Sequence, residues 1–242
     1  MLVSDVDGTL LGDDDALARF ADWYQHRRGT LKLVYASGRF VASLCESVAS
    51  TALPEPHAMI GGVGTEIRLF PGGALVDAWH VQLNDGWSAR GARAALERFA
   101  QLELQPAEFQ SDFKLSYFVY DAPPELLEEI EAVLASAGVH AMVVYSSRRD
   151  LDVLPAGAGK GAAAAFLSEY WGYSIDEVLV SGDSGNDRSM FERGFRGIVV
   201  GNAHPDLLEL TGDRVYVSPH HYADGVRDGL EYWFGRSGLQ RG

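Results

Sequence analysis

The chain has 242 residues, of which 47% are hydrophobic, 22% charged and 11% aromatic, a balance that places it among globular proteins and excludes a disordered chain. Its 34 acidic against 20 basic residues leave a net charge of −14, which excludes long-range attraction to nucleic acid or to anionic membrane surfaces. Cys45 is the only cysteine, so an intrachain disulfide and a multi-cysteine metal site are both excluded.

Taken in order, a short apolar start (Leu2, Val3) predicts a strand that runs into an Asp-rich turn, and Leu17, Phe20, Ala21 and Tyr24 predict a helix over 16–26. Strands follow at 31–36 and 58–60 with a helix over 40–48 between them, before the glycine-rich GGVGT. From about residue 75 to 155 the pattern changes to helices over 84–100 and 124–137 and strands over 114–120, 140–145 and 150–154. The earlier rhythm then resumes: a small-residue run at 155–165 reads as a hinge entering a helix over 161–170, followed by a strand over 177–181, a helix over 188–193 and a strand over 197–200. Alternating strands and helices predict an α/β fold, a Rossmann-like doubly wound parallel-sheet core over 1–76 and 156–242. The stretch 77–155 is expected to be an inserted α+β unit. The first eleven residues lack a basic leader pattern and no stretch nears the ~20 apolar residues of a membrane span, so a cytoplasmic protein is expected.

The chemistry-bearing residues stand after the predicted strands, where ligands sit in open parallel sheets. Asp5-Val6-Asp7-Gly8-Thr9 follows the first strand; alone it reads equally well as an Asp-Gly turn. Ser181-Gly182-Asp183-Ser184-Gly185-Asn186-Asp187 combines acids, an amide and two glycines in a loop suited to a cation or a phosphate. Ser37-Gly38-Arg39 offers a hydroxyl and backbone amides at a helix start, and Lys160-Gly161 opens a helix. Taken singly, Lys160 reads as a solvated surface lysine and Ser37 as a helix cap.

As an ordered set, DVDGT, SGR, a helix-opening Lys-Gly and GDSGND resemble the four motifs of the haloacid dehalogenase-like phosphatases. The resemblance spans the chain, and the insertion resembles the α/β cap of the sugar-phosphatase branch that contains sucrose-phosphate and mannosylfructose-phosphate phosphatases. GGVGTEI, YSSRRDLDVLP, SGDSGNDRSMFE and RGIVVGNAHPDLL carry this finer likeness. Many sucrose phosphatases have Asn where Gly8 stands and Thr where Ser37 stands, while GGVGT and SGR look more like the mannosylfructose enzyme.

The resemblance implies a Mg²⁺-dependent phosphatase of a small sugar phosphate, most simply a disaccharide phosphate. Asp5 is then the nucleophile and Asp7 the general acid and base. Mg²⁺ is expected on Asp5, the main-chain carbonyl of Asp7, Asp183 and, through water, Asp187. Ser37, Gly38, Lys160 and Asn186 are expected to hold phosphate oxygens, and Lys114, Arg149, Asp150 and Glu66 to meet the sugar. Two other readings share this chemistry: a phosphosugar mutase on the same fold, and a receiver-type signalling module. Receiver modules are about half this length and carry the phosphorylated Asp after the third strand, not at position 5.

Overall fold

The computed structural model of the protein describes residues 1–146 and 148–237; Ser147, inside the YSSRRDLDVLP segment, lies outside them. The chain opens with β1 (Leu2–Ser4), α1 (Asp14–Gln25), β2 (Leu33–Ala36), α2 (Val41–Ser50), β3 (Ala58–Gly61), β4 (Glu66–Leu69) and β5 (Ala74–Leu75). It continues through α3 (Asp77–Leu83), α4 (Ala89–Leu96), β6 (Glu103–Leu104), β7 (Leu115–Phe118), α5 (Pro124–Ser136), β8 (Ala141–Ser146) and β9 (Asp150–Pro155). The last part holds α6 (Lys160–Tyr170), β10 (Leu179–Gly182), α7 (Arg188–Phe191), β11 (Arg196–Val199), α8 (Pro205–Leu208), β12 (Val215–Val217) and α9 (Tyr222–Ser237). The chain divides into two compact units, one formed by Met1–Leu75 with the chain from Lys160 onward, the other by Val76–Gly159.

The first unit is built on a sheet in the order β12-β11-β10-β1-β2-β3-β4-β5, the α/β doubly wound architecture expected from the alternation of elements. Strands β12 through β3 are parallel, and β4 and β5 add antiparallel at the edge. The central strands are buried along their whole length, which is why they read as continuous apolar runs and not as alternating ones. In α1 the Asp13 carboxylate accepts from the Ala16 N–H at 2.9 Å as an N-cap, and Ala16, Leu17, Phe20 and Tyr24 form the buried stripe.

Besides the short elements α3, β6, α8 and β12, which the sequence reading did not anticipate, three stretches differ from the expectation. Residues 66–75 form the β4–β5 hairpin, whose turn uses Gly72 and Gly73 at positive φ. The helix expected over 84–100 is confined to α4, because Gly86 sits at φ +67 and the Ser88 hydroxyl caps the later start by accepting from Gly91 N–H at 3.0 Å. The C-terminal α9 was hidden by glycines that lower helix propensity. Gly229 is there for close packing, since a Cβ on it would lie 2.3 Å from Ile198 of β11.

In the second unit the sheet runs β6-β7-β9-β8, all antiparallel. Leu115, Tyr117, Leu151 and Val153 pack with Ala92, Leu96, Ile130 and Leu134 of α4 and α5. The register pairs Ser116 with Asp152 and Phe118 with Asp150, so these four share the opposite face of the sheet.

Candidate active site

Asp5 is the first residue after β1, Ser37 the first after β2 and Asp183 the first after β10. These three strands are neighbours and parallel, with Ser4 level with Ser181 and Tyr35. The same carboxyl ends therefore carry all three motifs, and Asp5 N–H is fixed to the Ser181 carbonyl at 3.0 Å. Beneath it a hydroxyl chain runs from Ser181 Oγ to Ser4 Oγ at 2.7 Å and on to the Asp5 carbonyl at 2.7 Å.

The carboxylates of Asp5, Asp183 and Asp187 converge, with one oxygen of each within 4.8 Å of the others, and all three residues are buried. Lys160 points into this group with none of its surface exposed. Its Nζ donates to Asp5 Oδ1 at 2.7 Å, Asp187 Oδ1 at 2.6 Å and Asn186 Oδ1 at 3.1 Å. The solvated lysine that the local sequence allowed is thus a fully buried ammonium.

The acid loop is wound tightly around Asp187, whose Oδ2 accepts from the N–H groups of Asp183 and Ser184 at 3.0 and 3.2 Å. Gly182 is required there, because a Cβ would meet the Asp187 side chain at 2.5 Å. Gly8, at φ +81, plays the matching part in the first motif, since its Cβ would lie 2.3 Å from Asp183 Oδ2. Thr9 Oγ1 donates to Asp183 Oδ1 at 3.3 Å, and Asn202 Nδ2 holds the Gly8 carbonyl at 2.7 Å.

Burial pushes the Asp183 carboxyl up to about 6, and the neighbouring Asp5 charge adds to it. Asp187 is raised for the same two reasons, burial first and Asp5 second, with Lys160 opposing. Burial alone would lower Lys160, yet Asp187 and Asp5 hold it above the ordinary lysine value. Three carboxylates against one ammonium is an incomplete balance, and among the described residues Asp5 Oδ2 is buried with no hydrogen-bond partner. Three converging buried carboxylates left in charge deficit are the donor chemistry of a hard divalent cation, so the residues fit a Mg²⁺-type ion.

Asp7 stands apart, its side chain 55% exposed and paired with Arg39 Nε at 2.8 Å. Ser37 Oγ accepts from Arg39 N–H at 3.1 Å and lies 3.5 Å from Asp7 Oδ2. The GGVGT loop clasps this turn, with Gly62 N–H donating to the Arg39 carbonyl at 2.9 Å and Val63 N–H to the Ser37 carbonyl at 3.1 Å. Gly62, Val63 and Gly64 all take positive φ to do so, a strained choice for the β-branched Val63. Glu66 serves this loop as well: its carboxylate accepts from Val41 N–H at 3.3 Å at the start of α2 and pairs with Arg68.

The remaining expected residues lie in the second unit. Lys114 is buried and paired with Asp152 at 2.9 Å, and Ser116 Oγ donates to the same Asp152 oxygen at 2.6 Å. Asp150 accepts from Gln105 Nε2 at 3.0 Å and from the half-exposed Arg149 at 3.0 and 2.9 Å. Thr9, Arg39, Gln105, Asp152 and Asn202 were not anticipated as site residues. Asp152 was legible in the DLD alternation, which puts it on the face of Asp150, and Arg39 in the SGR motif itself.

A family model described as sucrose-6F-phosphate phosphohydrolase matches residues 1–234. Mannosylfructose-phosphate phosphatase of Agrobacterium fabrum is 41% identical over 238 residues, covering 96% of each chain. Sucrose-phosphatase 2 of Nicotiana tabacum is 33% identical over 86% of this chain, which spans 52% of that enzyme. A solved sucrose-phosphatase from Synechocystis, in complex with sucrose and phosphate, matches with a TM-score of 0.89 at 32% identity over 96% of both chains. A haloacid dehalogenase-like hydrolase from Bacillus subtilis shares the fold, with a TM-score of 0.71 at 20% identity over 97% of this chain and 91% of its own.

Proposed function

The chain belongs to the sucrose-6F-phosphate phosphohydrolase family, and from that premise we propose that it is a Mg²⁺-dependent phosphatase that hydrolyses a disaccharide phosphate through a phosphoryl group carried on Asp5. The observation that supports the chemistry best is a single atom. Among the described residues Asp5 Oδ2 is buried and unpartnered while Oδ1 is held by Lys160, so one oxygen of a fixed carboxylate is left free to react.

Asp5 attacks phosphorus, the bond from phosphorus to the sugar oxygen breaks, and that oxygen takes the proton of Asp7. Asp7, now a carboxylate, takes a proton from water, which attacks the phosphorus on Asp5 and releases inorganic phosphate. Asp5, Asp183 and the Asp7 main-chain carbonyl would hold Mg²⁺, with Asp187 reaching it through water, and the ion would offset the charge of the phosphoryl oxygens. Lys160, Ser37, the Gly38 backbone and Asn186 hold the non-bridging oxygens in this reading. Lys160 is already aimed at Asp5.

The second unit is the cap, and Lys114, Arg149 and Asp150 are its sugar contacts, joined by Gln105 and Asp152 through their hydrogen bonds to the first set. Glu66 is the weakest of the sugar contacts, because both of its carboxylate oxygens are engaged within the core unit. Between sucrose 6-phosphate and mannosylfructose 6-phosphate, the 41% identity to the mannosylfructose enzyme favours the latter.

The test is a phosphate-release screen of both disaccharide phosphates and simple hexose phosphates, with Mg²⁺ and with chelator, paired with intact-mass analysis of acid-quenched reactions. Expected are Mg²⁺-dependent release, preference for one disaccharide phosphate, and one phosphoryl mass on wild type that is missing from Asp5→Asn. Asp5→Asn turnover within tenfold of wild type would refute the covalent route, and equal rates on hexose and disaccharide phosphates would refute the substrate class.

A further inference from the structure

Arg39 sets its guanidinium beside the exposed acid of the DVDGT loop, and its own position is fixed from three sides. Its backbone is pinned by Ser37 Oγ on the N–H and by Gly62 N–H on the carbonyl. Its Nη1 donates to Ser47 Oγ at 2.9 Å and reaches Ser43 Oγ at 3.4 Å. Ser43 and Ser47 are one turn apart on α2 and so form a ladder along a single helix face. Its Nε then meets Asp7 Oδ2 at 2.8 Å, while Nη2 beside that contact is buried without a partner among the described residues.

Asp7 has no comparable support from packing. Its backbone is set by the turn, with Gly8 N–H on the Leu11 carbonyl at 3.2 Å, but its side chain is 55% exposed. An exposed carboxylate on a fixed backbone still samples several rotamers, and a proton donor must be aimed before it can act.

We propose that Arg39, braced by Ser43 and Ser47, is the positioning residue that aims the Asp7 carboxylate at the leaving oxygen. This rests on the reading of Asp7 as the general acid. Arg39 acts through Asp7 and through direction, so its loss matters in proportion to how much the leaving group needs a proton. The spare Nη2 donor lets the guanidinium follow the carboxylate as it turns, without releasing Nε or the serine ladder.

The experiment compares kcat/KM on phenyl phosphate and p-nitrophenyl phosphate, which share a shape and carry no sugar, but differ in how much their leaving oxygen needs protonation. Because kcat/KM ends with leaving-group departure, the later hydrolytic step does not enter. Asp7→Asn is the reference arm and is expected to lose about 100-fold or more on phenyl phosphate and far less on the nitrophenyl ester. Arg39→Ala is expected to lose at least about tenfold more on phenyl than on nitrophenyl phosphate. The paired Ser43→Ala/Ser47→Ala variant should shift the ratio in the same direction by less, and Arg39→Lys should recover only part of it. In Arg39→Ala/Asp7→Asn the ratio should equal that of Asp7→Asn alone.

Equal losses on both esters for Arg39→Ala, with Asp7→Asn still discriminating, would overturn the positioning role and leave the acid standing. The positioning role also falls if the double variant separates the esters further than Asp7→Asn does. Failure of Asp7→Asn to discriminate overturns the acid assignment and this proposal with it. Circular dichroism and Tm of Arg39→Lys, which keeps the charge, guard against a loss that is only misfolding.

Discussion

Replacing Lys160 by Met keeps most of the stem and removes the charge, which isolates what the ammonium does. It strips a donor from Asp5, Asp187 and Asn186, from a side chain with no solvent exposure. Removing one partner of a buried ion pair costs about 3–5 kcal/mol. An independent limit comes from proton uptake, because a stranded carboxylate escapes by taking a proton. Protonating an ordinary aspartate at pH 7 costs about 4 kcal/mol, at about 1.4 kcal/mol for each pH unit above its usual value near 3.9. The two figures agree.

They also give the loss a signature. If protonation of a buried acid caps the cost, then the cost must shrink by about 1.4 kcal/mol for each unit of pH between 7 and 5. In chelator at pH 7, Lys160→Met should lower Tm by about 6–20 °C, at about 2–4 °C per kcal/mol for a chain of this size. At pH 5 the deficit should fall to less than half. Turnover on sugar phosphate and on p-nitrophenyl phosphate should fall alike, because the charge serves the phosphoryl group whatever the leaving group. Differential scanning calorimetry of wild type and variant across this range is the assay. A deficit below about 1 kcal/mol at pH 7, or one that does not change with pH, would refute the claim that Lys160 balances these acids.

Asp7→Asn should retain Mg²⁺ within a few-fold by titration calorimetry, since its main-chain carbonyl is the proposed ligand, and loss of metal would contradict that role. For the metal-free protein, the Asp183 acid is raised to about 6 by burial first and the Asp5 charge second. Between about pH 4 and 6 the folded state therefore holds a proton that the unfolded chain has released, so stability falls as pH rises, by up to about 3 kcal/mol. Asp187 adds in the same sense; Asp183→Asn should flatten much of the slope in chemical denaturation, and an unchanged slope would count against the burial argument. In the second unit, Asp150→Ala should raise KM for the disaccharide phosphate and barely change kcat/KM for p-nitrophenyl phosphate. Lys114→Ala should also lower the stability of that unit, by stranding the buried Asp152, so equal losses on both substrates for Asp150→Ala are what would sink the sugar assignment.

What could be read from the sequence followed the range of the interactions involved. Asp5 and Asp183 were legible because an acid directly after an apolar parallel strand has a fixed address at the sheet's carboxyl edge. Lys160 was not legible by itself, because its burial depends on Asp5, 155 residues earlier, and on Asp187, 27 residues later. Arg39 was visible in the SGR motif, but its pairing with Asp7 was hidden for the same reason, since it depends on α2 lining up Ser43 and Ser47. In the second unit the pairing of Lys114 with Asp152 crosses between β7 and β9, so it required the register and not the composition. The β4–β5 hairpin and α9 escaped because short edge strands and glycine-bearing helices obtain their stability from tertiary packing and not from local preference.

The charge of the whole molecule sharpens the case for a cation at the site. A protein of net charge −14 repels a phosphate ester at long range, and the site itself sets three carboxylates against the single ammonium of Lys160. An arriving phosphoryl group would add two negative charges to that deficit, a few ångströms from buried acids, where screening by salt is weak. One divalent ion cancels the local excess of two. Proton uptake by Asp183 and Asp187 offers another route to neutrality, but at Asp183 it consumes a carboxylate that the proposed cation needs as a ligand. Metal and protons therefore compete for the same buried oxygens. The Asp183 part of the stability slope with pH should accordingly vanish in saturating Mg²⁺, because a ligand held by the ion no longer takes up a proton as pH falls.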